Sequence, residues 1–320
     1  MTGKDILTAK QLLESGKCVA IPTETVYGLA ANALDPTACA EIFRIKNRPS
    51  FNPLIVHVHA IGEIEKYVRA FPEPLKKLAE HFSPGPVTFV LPKKNNIPDI
   101  VTAGGDTVAV RIPAHPLTLE LLRLLPFPLA APSANPFGYI SPVTAQHVEA
   151  QLGNEIPYIL DGGACTVGLE STVVAYENNE VVILRLGGIS VEAIEAVCGK
   201  VRLEINQSSD PKSPGQLAAH YAPRKKLYFG NLGDLLKTHA AAKKGILSFS
   251  KPVSGNNIAY QVILSEKGNM NEAAANLFAA LRFLDNSDVD ILLAEKFPEK
   301  DLGRAINDRL MRASFMGTDF

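Results

Sequence analysis

The sequence predicts an α/β protein of two domains joined by a linker. Three observations predict it. Short apolar strands that stop at Pro or Gly alternate with amphipathic helices along the whole chain. At 320 residues the chain is longer than one core ordinarily serves. Between 204 and 226 the texture changes to EINQSSDPKSPGQLAAHYAPRKK, rich in Ser, Pro, Lys and Gln, which is linker composition. The expected division is therefore 1–203, a linker over 204–226, and 227–320.

Bulk composition narrows the class. A hydrophobic share of 46% provides an ample core, and no apolar run reaches the roughly 20 residues that span a bilayer. The start, TGKDILTAKQLLESG, is polar and amphipathic rather than a signal peptide, so a cytoplasmic protein is expected. Net charge is −1, so no global field draws nucleic acid, and any RNA contact needs a local patch. Cys18, Cys39, Cys165 and Cys198 are scattered without a C-x-x-C pair and read as reduced thiols.

Taken in order, residues 5–15 form a helix with Ile6, Leu7, Leu12 and Leu13 as its apolar stripe. A strand over 17–22 runs into Pro22, and Thr23, Thr25 and Tyr27 then place three hydroxyls in five residues, closed by Gly28. Asp35 reads as the N-cap and Pro36 as the first residue of a helix over 36–46. Its end, Lys46-Asn47-Arg48-Pro49, sets two cations within three residues. Such a pair can hold polyphosphate oxygens, and it is also what a solvated helix end carries. The strand 53–60 contains His57, either a core histidine or a ligand-binding group. Two short helices and a strand over 87–91 follow.

In the strand 107–113, Val108, Val110 and Ile112 share one face while Ala109 and Arg111 share the other. A buried Arg111 needs an anion, either a protein carboxylate or a substrate carboxylate held by its fork. After a helix from Pro116, the short strand in FPLAA breaks at Pro132, and Ser133-Ala134-Asn135 lies in a loop at its end, where ligands of α/β sheets gather. Ser141-Pro142 opens the next helix. Residues 168–190 read as a β-hairpin, with Ser171 and Thr172 entering it and Arg185 near its end. The linker carries His220, Tyr221 and Arg224, which a passive tether does not require, so it is either an exposed tether or a lid. From Leu227 onward, strands and helices alternate as a small, mostly parallel sheet with helical cover, and neither G-x-G-x-x-G nor a Walker A motif occurs.

The stretches PTETVYGLA, FRIKNRP, NPLIVHV, SPGPVTFVL, VAVRIPAHP, APSAN, LESTVV, LRLGG and SPGQLAAHYAPR, in this order and spacing, resemble the threonylcarbamoyl-AMP synthase family in its long, two-domain form. The resemblance covers essentially the whole chain. It implies a twisted mixed sheet with a concave basic cleft, a linker crossing that cleft, and a Rossmann-like C-terminal domain. It implies a nucleotidyltransferase that joins L-threonine, bicarbonate or CO2 and ATP into threonylcarbamoyl-AMP and pyrophosphate, for N6-threonylcarbamoylation of adenosine 37 in tRNAs reading ANN codons. The implied threonine site falls on Thr25, His57, Arg111, Ala131 and Ser171. The implied ATP site falls on Arg48, Asn52, Thr107, Ser133, Asn135, Ser141, Arg185 and Tyr221, with Lys46, Arg48 and Arg185 as the catalytic cations. Two positions depart from the family pattern: Ala131 stands where some members carry threonine, and Ala175 where many carry aspartate.

These residues suit the chemistry. Adenylyl transfer asks for positioning and charge neutralisation more than for a protein nucleophile, and no nucleophile or metal-ligand signature is evident. Magnesium is expected on the ATP phosphates, with no protein metal site. Expected partners are ATP, L-threonine, bicarbonate, weakly bound tRNA or duplex RNA, and the machinery that transfers the threonylcarbamoyl group to tRNA, with no membrane. Two other readings remain open. A carbamoyltransferase of the hydrogenase-maturation type would add zinc-binding C-x-x-C pairs, which this chain lacks. A non-catalytic RNA-binding protein would show salt-sensitive RNA binding without ATP consumption.

Overall fold

A computed structural model of the chain describes residues 1–205 and 220–315. The first body opens with β1 (Thr2–Gly3), α1 (Ile6–Glu14), β2 (Val19–Ile21), β3 (Gly28–Asn32) and α2 (Pro36–Lys46). The cap of α2 is the expected one: Asp35 Oδ1 accepts the Thr37 N–H at 2.8 Å and Pro36 occupies the first turn. In α1, Ala9 and Leu13 are buried, but Leu7 is 59% exposed and drops out of the expected stripe. Next come β4 (Ile55–His57), α3 (Ile61–Ile64), α4 (Glu73–Phe82), β5 (Val87–Pro92), α5 (Asp99–Thr102), β6 (Thr107–Arg111), α6 (Pro116–Leu124) and β7 (Leu129–Ala130).

The body continues with α7 (Ala145–Leu152), β8 (Tyr158–Leu160), β9 (Thr172–Glu177), β10 (Glu180–Arg185), α8 (Val191–Cys198) and β11 (Arg202–Leu203). Two details correct the sequence reading. Thr144, not Ser141, caps α7, accepting from His147 N at 3.2 Å. The hairpin strands begin at Thr172 and turn through Asn178 and Asn179, both at positive φ (52° and 65°), the backbone of a two-residue hairpin turn that asparagine tolerates. The sequence alone also does not foresee β1, β3, α5 or β11, the last pairing in parallel with β10.

These strands form one mixed eleven-stranded sheet in the order β1-β8-β2-β3-β7-β4-β6-β5-β9-β10-β11. Parallel β4 and β6 are in register so that His57 lies beside Arg111. As the alternation predicts, Val56, Val108, Val110 and Ile112 pack into the main core, while Ile55 and Ala109 face the opposite side with Val173 and Leu184. Arg111 and His57 share that second side, which is where the cleft forms.

A second, four-stranded sheet is all parallel, in the order β12-β15-β13-β14. It comprises β12 (Lys226–Gly230), α9 (Leu232–Thr238), β13 (Lys244–Ser248), β14 (Ile258–Ile263), α10 (Met270–Asn286), β15 (Ile291–Glu295) and α11 (Gly303–Ser314). The two sheets share one apolar core: Val110 and Ile140 belong to the same buried cluster as Leu277, Phe278 and Leu310 of α10 and α11. At Gly168 the two bodies meet backbone to backbone. Gly168, at φ +72°, lies so near α10 that a Cβ there would meet Ala275 Cα at 2.5 Å. Among the described residues no helix is long and apolar enough to cross a membrane.

Candidate active site

The cleft opens on the side of the sheet that carries His57 of β4 and Arg111 of β6, with the end of α2 and the loop after β7 in its lining. Its cavity volume is about 50 Å³. Among the described residues, four cations line it, Lys46, Arg48, Arg111 and Arg185, against a single carboxylate, Glu170.

Local structure explains how α2 delivers two of them. Asn47 ends the helix in the left-handed region (φ 50°, ψ 45°), and Arg48 N–H reaches back to Phe43 O at 2.9 Å. That reversal turns the chain inward, so Lys46 and Arg48 are only 1% and 8% exposed. The solvated helix end is thus excluded. Lys46 Nζ donates to the carbonyls of Ser133 (2.6 Å) and Asn135, tying α2 to the loop after β7. Arg48 donates to Asn52 Oδ1 (2.7 Å) and to the Asn52 and Pro53 carbonyls (3.1 and 2.8 Å).

Arg111 has a protein partner: its Nη2 donates to Glu24 Oε1 at 2.6 Å, and the other Glu24 oxygen accepts Ala114 N–H at 2.9 Å. Glu24 fixes the guanidinium in place, and Arg111 still lines the cleft. The sequence reading passed over Glu24. It also passed over Glu170, Phe137, Gly138 and Val26, which line the cleft too.

Arg185, at the end of β10, donates from Nε and Nη2 to Ser171 O (3.0 and 2.9 Å) and from Nη2 to Ser171 Oγ (3.0 Å). This leaves no room for a side chain at Gly187, where a Cβ would strike the backbone of Glu170, Ser171 and Thr172. Burial, with cationic neighbours, lowers these cations: Arg48 to about 9, beside Arg185, and Arg185 to about 10. Lys46 is lowered too, by burial and then by Arg48. A cluster that disfavours its own charge is prepared for an anion.

Of the residues carried over from the family, Thr25, His57, Arg111, Ala131, Lys46, Arg48, Ser133, Asn135, Arg185 and Tyr221 all line this one cleft. Asn52, Ser141 and Ser171 lie one layer behind. Asn52 holds Arg48, Ser141 Oγ donates to Glu170 Oε1 at 2.5 Å, and Ser171 Oγ shares a hydrogen bond with Thr88 at 2.7 Å. Thr107 falls elsewhere. It is exposed at the far end of β6, about 13 Å along the strand from Arg111. Of the three early hydroxyls, Tyr27 turns away to Gly163 O at 2.7 Å, and Thr23 is used locally, donating to Val26 O at 2.6 Å.

His220 and Tyr221 come from the expected linker, whose residues 206–219 lie outside the described residues. Tyr221 is 1% exposed and adopts φ +63°, a conformation that costs a non-glycine residue energy. Its ring stacks on Phe278 with centroids 5.6 Å apart. Three buried polar atoms of cleft residues, Asn135 Oδ1, His220 Nδ1 and Tyr221 OH, have no hydrogen-bond partner among the described residues. Polar atoms left so are costly unless a ligand or water meets them.

Both cleft histidines are neutral at pH 7. Burial, reinforced by Arg111, lowers His57 to about 3, and burial lowers His220 to about 3 despite Glu170. His57 Nδ1 therefore donates to Ile55 O at 3.1 Å, and the ring is a hydrogen-bonding group and a poor base. The folded values lie below the unfolded 6.5. Their stabilising contribution is thus complete above pH 6.5 and is lost as pH falls towards 3. Thermal unfolding should therefore shift down steeply between pH 6.5 and 4, at about 1.4 kcal/mol per pH unit for each ring. His57→Gln should flatten that slope, and an unchanged slope would refute the assignment.

Among the described residues no group of three or more His, Cys, Asp or Glu stands together as a metal site. Cys18, Cys39, Cys165 and Cys198 are free thiols.

Comparison with known proteins matches nearly the whole chain. The family model Sua5_yciO_yrdC, described as "Telomere recombination", matches residues 11–187, and the model "Threonylcarbamoyl-AMP synthase, C-terminal domain" matches 189–314. A threonylcarbamoyl-AMP synthase of Pyrococcus abyssi is 40% identical over 319 residues, covering 97% of this chain and 94% of that protein. One of Bacillus subtilis is 40% identical over 320 residues, covering 97% and 92%. A crystal structure of P. abyssi Sua5 complexed with L-threonine has a TM-score of 0.91 to this chain at 38% identity, covering 98% of this chain and 97% of that one.

Proposed function

Since the chain belongs to the threonylcarbamoyl-AMP synthase family, with both family models matched in order, we propose that it condenses L-threonine, bicarbonate or CO2, and ATP into threonylcarbamoyl-AMP and pyrophosphate. The observation that carries this reading is the gathering of four cations and two neutral histidines in one cleft. The crystallised P. abyssi relative, similar over nearly its whole length, is complexed with L-threonine.

In this reading the cleft has two halves. On the threonine half, Arg111 takes the carboxylate, with Thr25 and neutral His57 beside it. Ala131, where some relatives of the family carry a hydroxyl, leaves that wall apolar. On the nucleotide half, Lys46, Arg48 and Arg185 neutralise the phosphates, and Ser133, Asn135 and Tyr221 supply polar contacts. The threonine amine attacks CO2 and loses a proton, giving a carbamate. A carbamate oxygen then attacks the α-phosphorus as the bond to pyrophosphate breaks. The protein contributes alignment and cationic stabilisation of the charge moving onto the leaving group. Glu170, the lining carboxylate, is already bound to Ser141 and Arg309, so magnesium enters with the ATP phosphates as part of the substrate. Tyr221, buried in the lining of the cleft, helps keep water from the mixed anhydride. The product passes to the machinery that modifies adenosine 37 of tRNA in the cytoplasm.

The test is pyrophosphate release by the purified chain. Release that requires threonine and bicarbonate together is the expected result. ATP consumption indifferent to threonine, or salt-sensitive RNA binding with no turnover, would overturn the reading.

A further inference from the structure

Among the described residues, one side chain of the C-terminal helices is bonded directly to the cleft's lining carboxylate. Arg309, on α11, is fully buried, and its Nε donates to Glu170 Oε2 at 2.9 Å across 139 residues of sequence. Its Nη2 donates to Leu186 O at 2.8 Å, next to Arg185. Its Nη1 donates to Asp308 Oδ2 at 2.7 Å, whose other oxygen accepts from Arg312 Nε at 2.9 Å, so the guanidinium is held on three sides. Its Cζ lies 5.0 Å from the centre of the Tyr221 ring. The second Glu170 oxygen accepts Ser141 Oγ. Thus one guanidinium fixes the cleft's lining carboxylate and supports its aromatic roof. Among the described residues its hydrogen bonds and ring contact go to Glu170, Asp308, Leu186 and Tyr221, and not to the threonine-side groups Arg111 and His57.

We propose that Arg309 is a positioning residue for the nucleotide half of the cleft: by holding Glu170 against Ser141 and Tyr221 in its roof position, it makes the C-terminal sheet a structural component of the ATP site. The division into halves rests on the function proposed above, whereas the geometry of the arginine does not. The alternative role for this ion pair is to glue the two sheets together. Gluing would affect both halves alike, whereas positioning affects one. Burial raises Glu170, but Arg309 and then Arg185 outweigh it and bring the carboxyl below its ordinary value. Removing Arg309 therefore leaves a buried carboxylate short of its partner. Converting that carboxylate to an amide removes the uncompensated charge.

Four full-length proteins decide it: wild type, Arg309→Met, Glu170→Gln, and the double variant. Calorimetry reads the Kd of a non-hydrolysable ATP analogue and, separately, that of threonine. In Arg309→Met the analogue should bind about 10- to 100-fold more weakly, while the threonine Kd moves by less than about twofold. Adding Glu170→Gln should recover part of the loss, giving a non-additive cycle. If Arg309→Met does not fold, the double variant, which buries no unpaired charge, carries the same expectation for the two ligands. Wild-type affinity for the analogue, or parallel loss of both ligands, overturns the proposal. These binding measurements do not depend on turnover. A wild-type protein that binds both ligands but makes no product would defeat the function proposed above while leaving this inference tested.

Discussion

Arg111→Met should lose threonine-dependent turnover and much of the protein's stability together. The two losses share one cause. Arg111 is 4% exposed, and its Nη2 satisfies Glu24, itself 8% exposed. Methionine fills similar space but leaves the Glu24 carboxylate buried with Ala114 N–H as its one remaining hydrogen-bond donor among the described residues. Breaking one side of such a pair costs about 3–5 kcal/mol, which for a chain of this size is a fall in Tm on the order of 10 °C. In the proposed reaction the same guanidinium receives the threonine carboxylate. Truncating a buried charge-assisted contact costs roughly 2–5 kcal/mol, a factor of about 30 to several thousand in threonine affinity. Arg111→Lys keeps the charge but not the fork and should fall between. Thermal melts and threonine calorimetry check both parts. A stable variant with wild-type threonine affinity would remove Arg111 from the site.

Arg48→Met should produce the opposite combination: a large catalytic loss with little loss of stability. Its partners are Asn52 and Pro53, all neutral acceptors, so no carboxylate is left behind. Burial and neighbouring Arg185 already hold Arg48 down to about 9, so its removal also relieves repulsion. Losing one preorganised cation from a site where negative charge accumulates costs about 10²–10³ in rate. kcat/KM for ATP should fall by that factor while threonine binding stays near wild type and the melting temperature drops less than in Arg111→Met. Unchanged ATP kinetics would show that Arg48 serves only the loop it caps. Lys46→Met should be less cleanly separable, because its ammonium also ties α2 to the Ser133 and Asn135 carbonyls.

How much was legible in advance depends on how far apart the causes lie in the chain. The start of α2 at Asp35-Pro36 is a matter of three residues and was read correctly. The two faces of β6 follow from alternation alone, and they put Val108 and Val110 in the core and Arg111 toward the cleft. The order of strands and helices after Leu227 needed only their periodicities. Thr107 marks the limit. It shares the parity of Arg111, yet sits at the exposed end of the strand, because parity fixes a face and not a position along it. Tyr27 likewise carries a hydroxyl in a promising stretch, and its partner, Gly163, is 136 residues away.

The sequence by itself determined the class of fold and the main helices and strands, though not β1, β3, α5 or β11, and, through the resemblance to the family, most of the side chains that line the cleft. These depend on local propensity and on motifs that stand as ordered strings. Only the tertiary structure decided the pairings: Glu24 with Arg111, Glu170 with Arg309, and Tyr221 against Phe278. Each joins segments between 57 and 139 residues apart. No periodicity reaches that far. Which buried charge meets which is settled when the sheets close on a shared core, since a charge taken from water must find a partner among whatever that closure brings within reach.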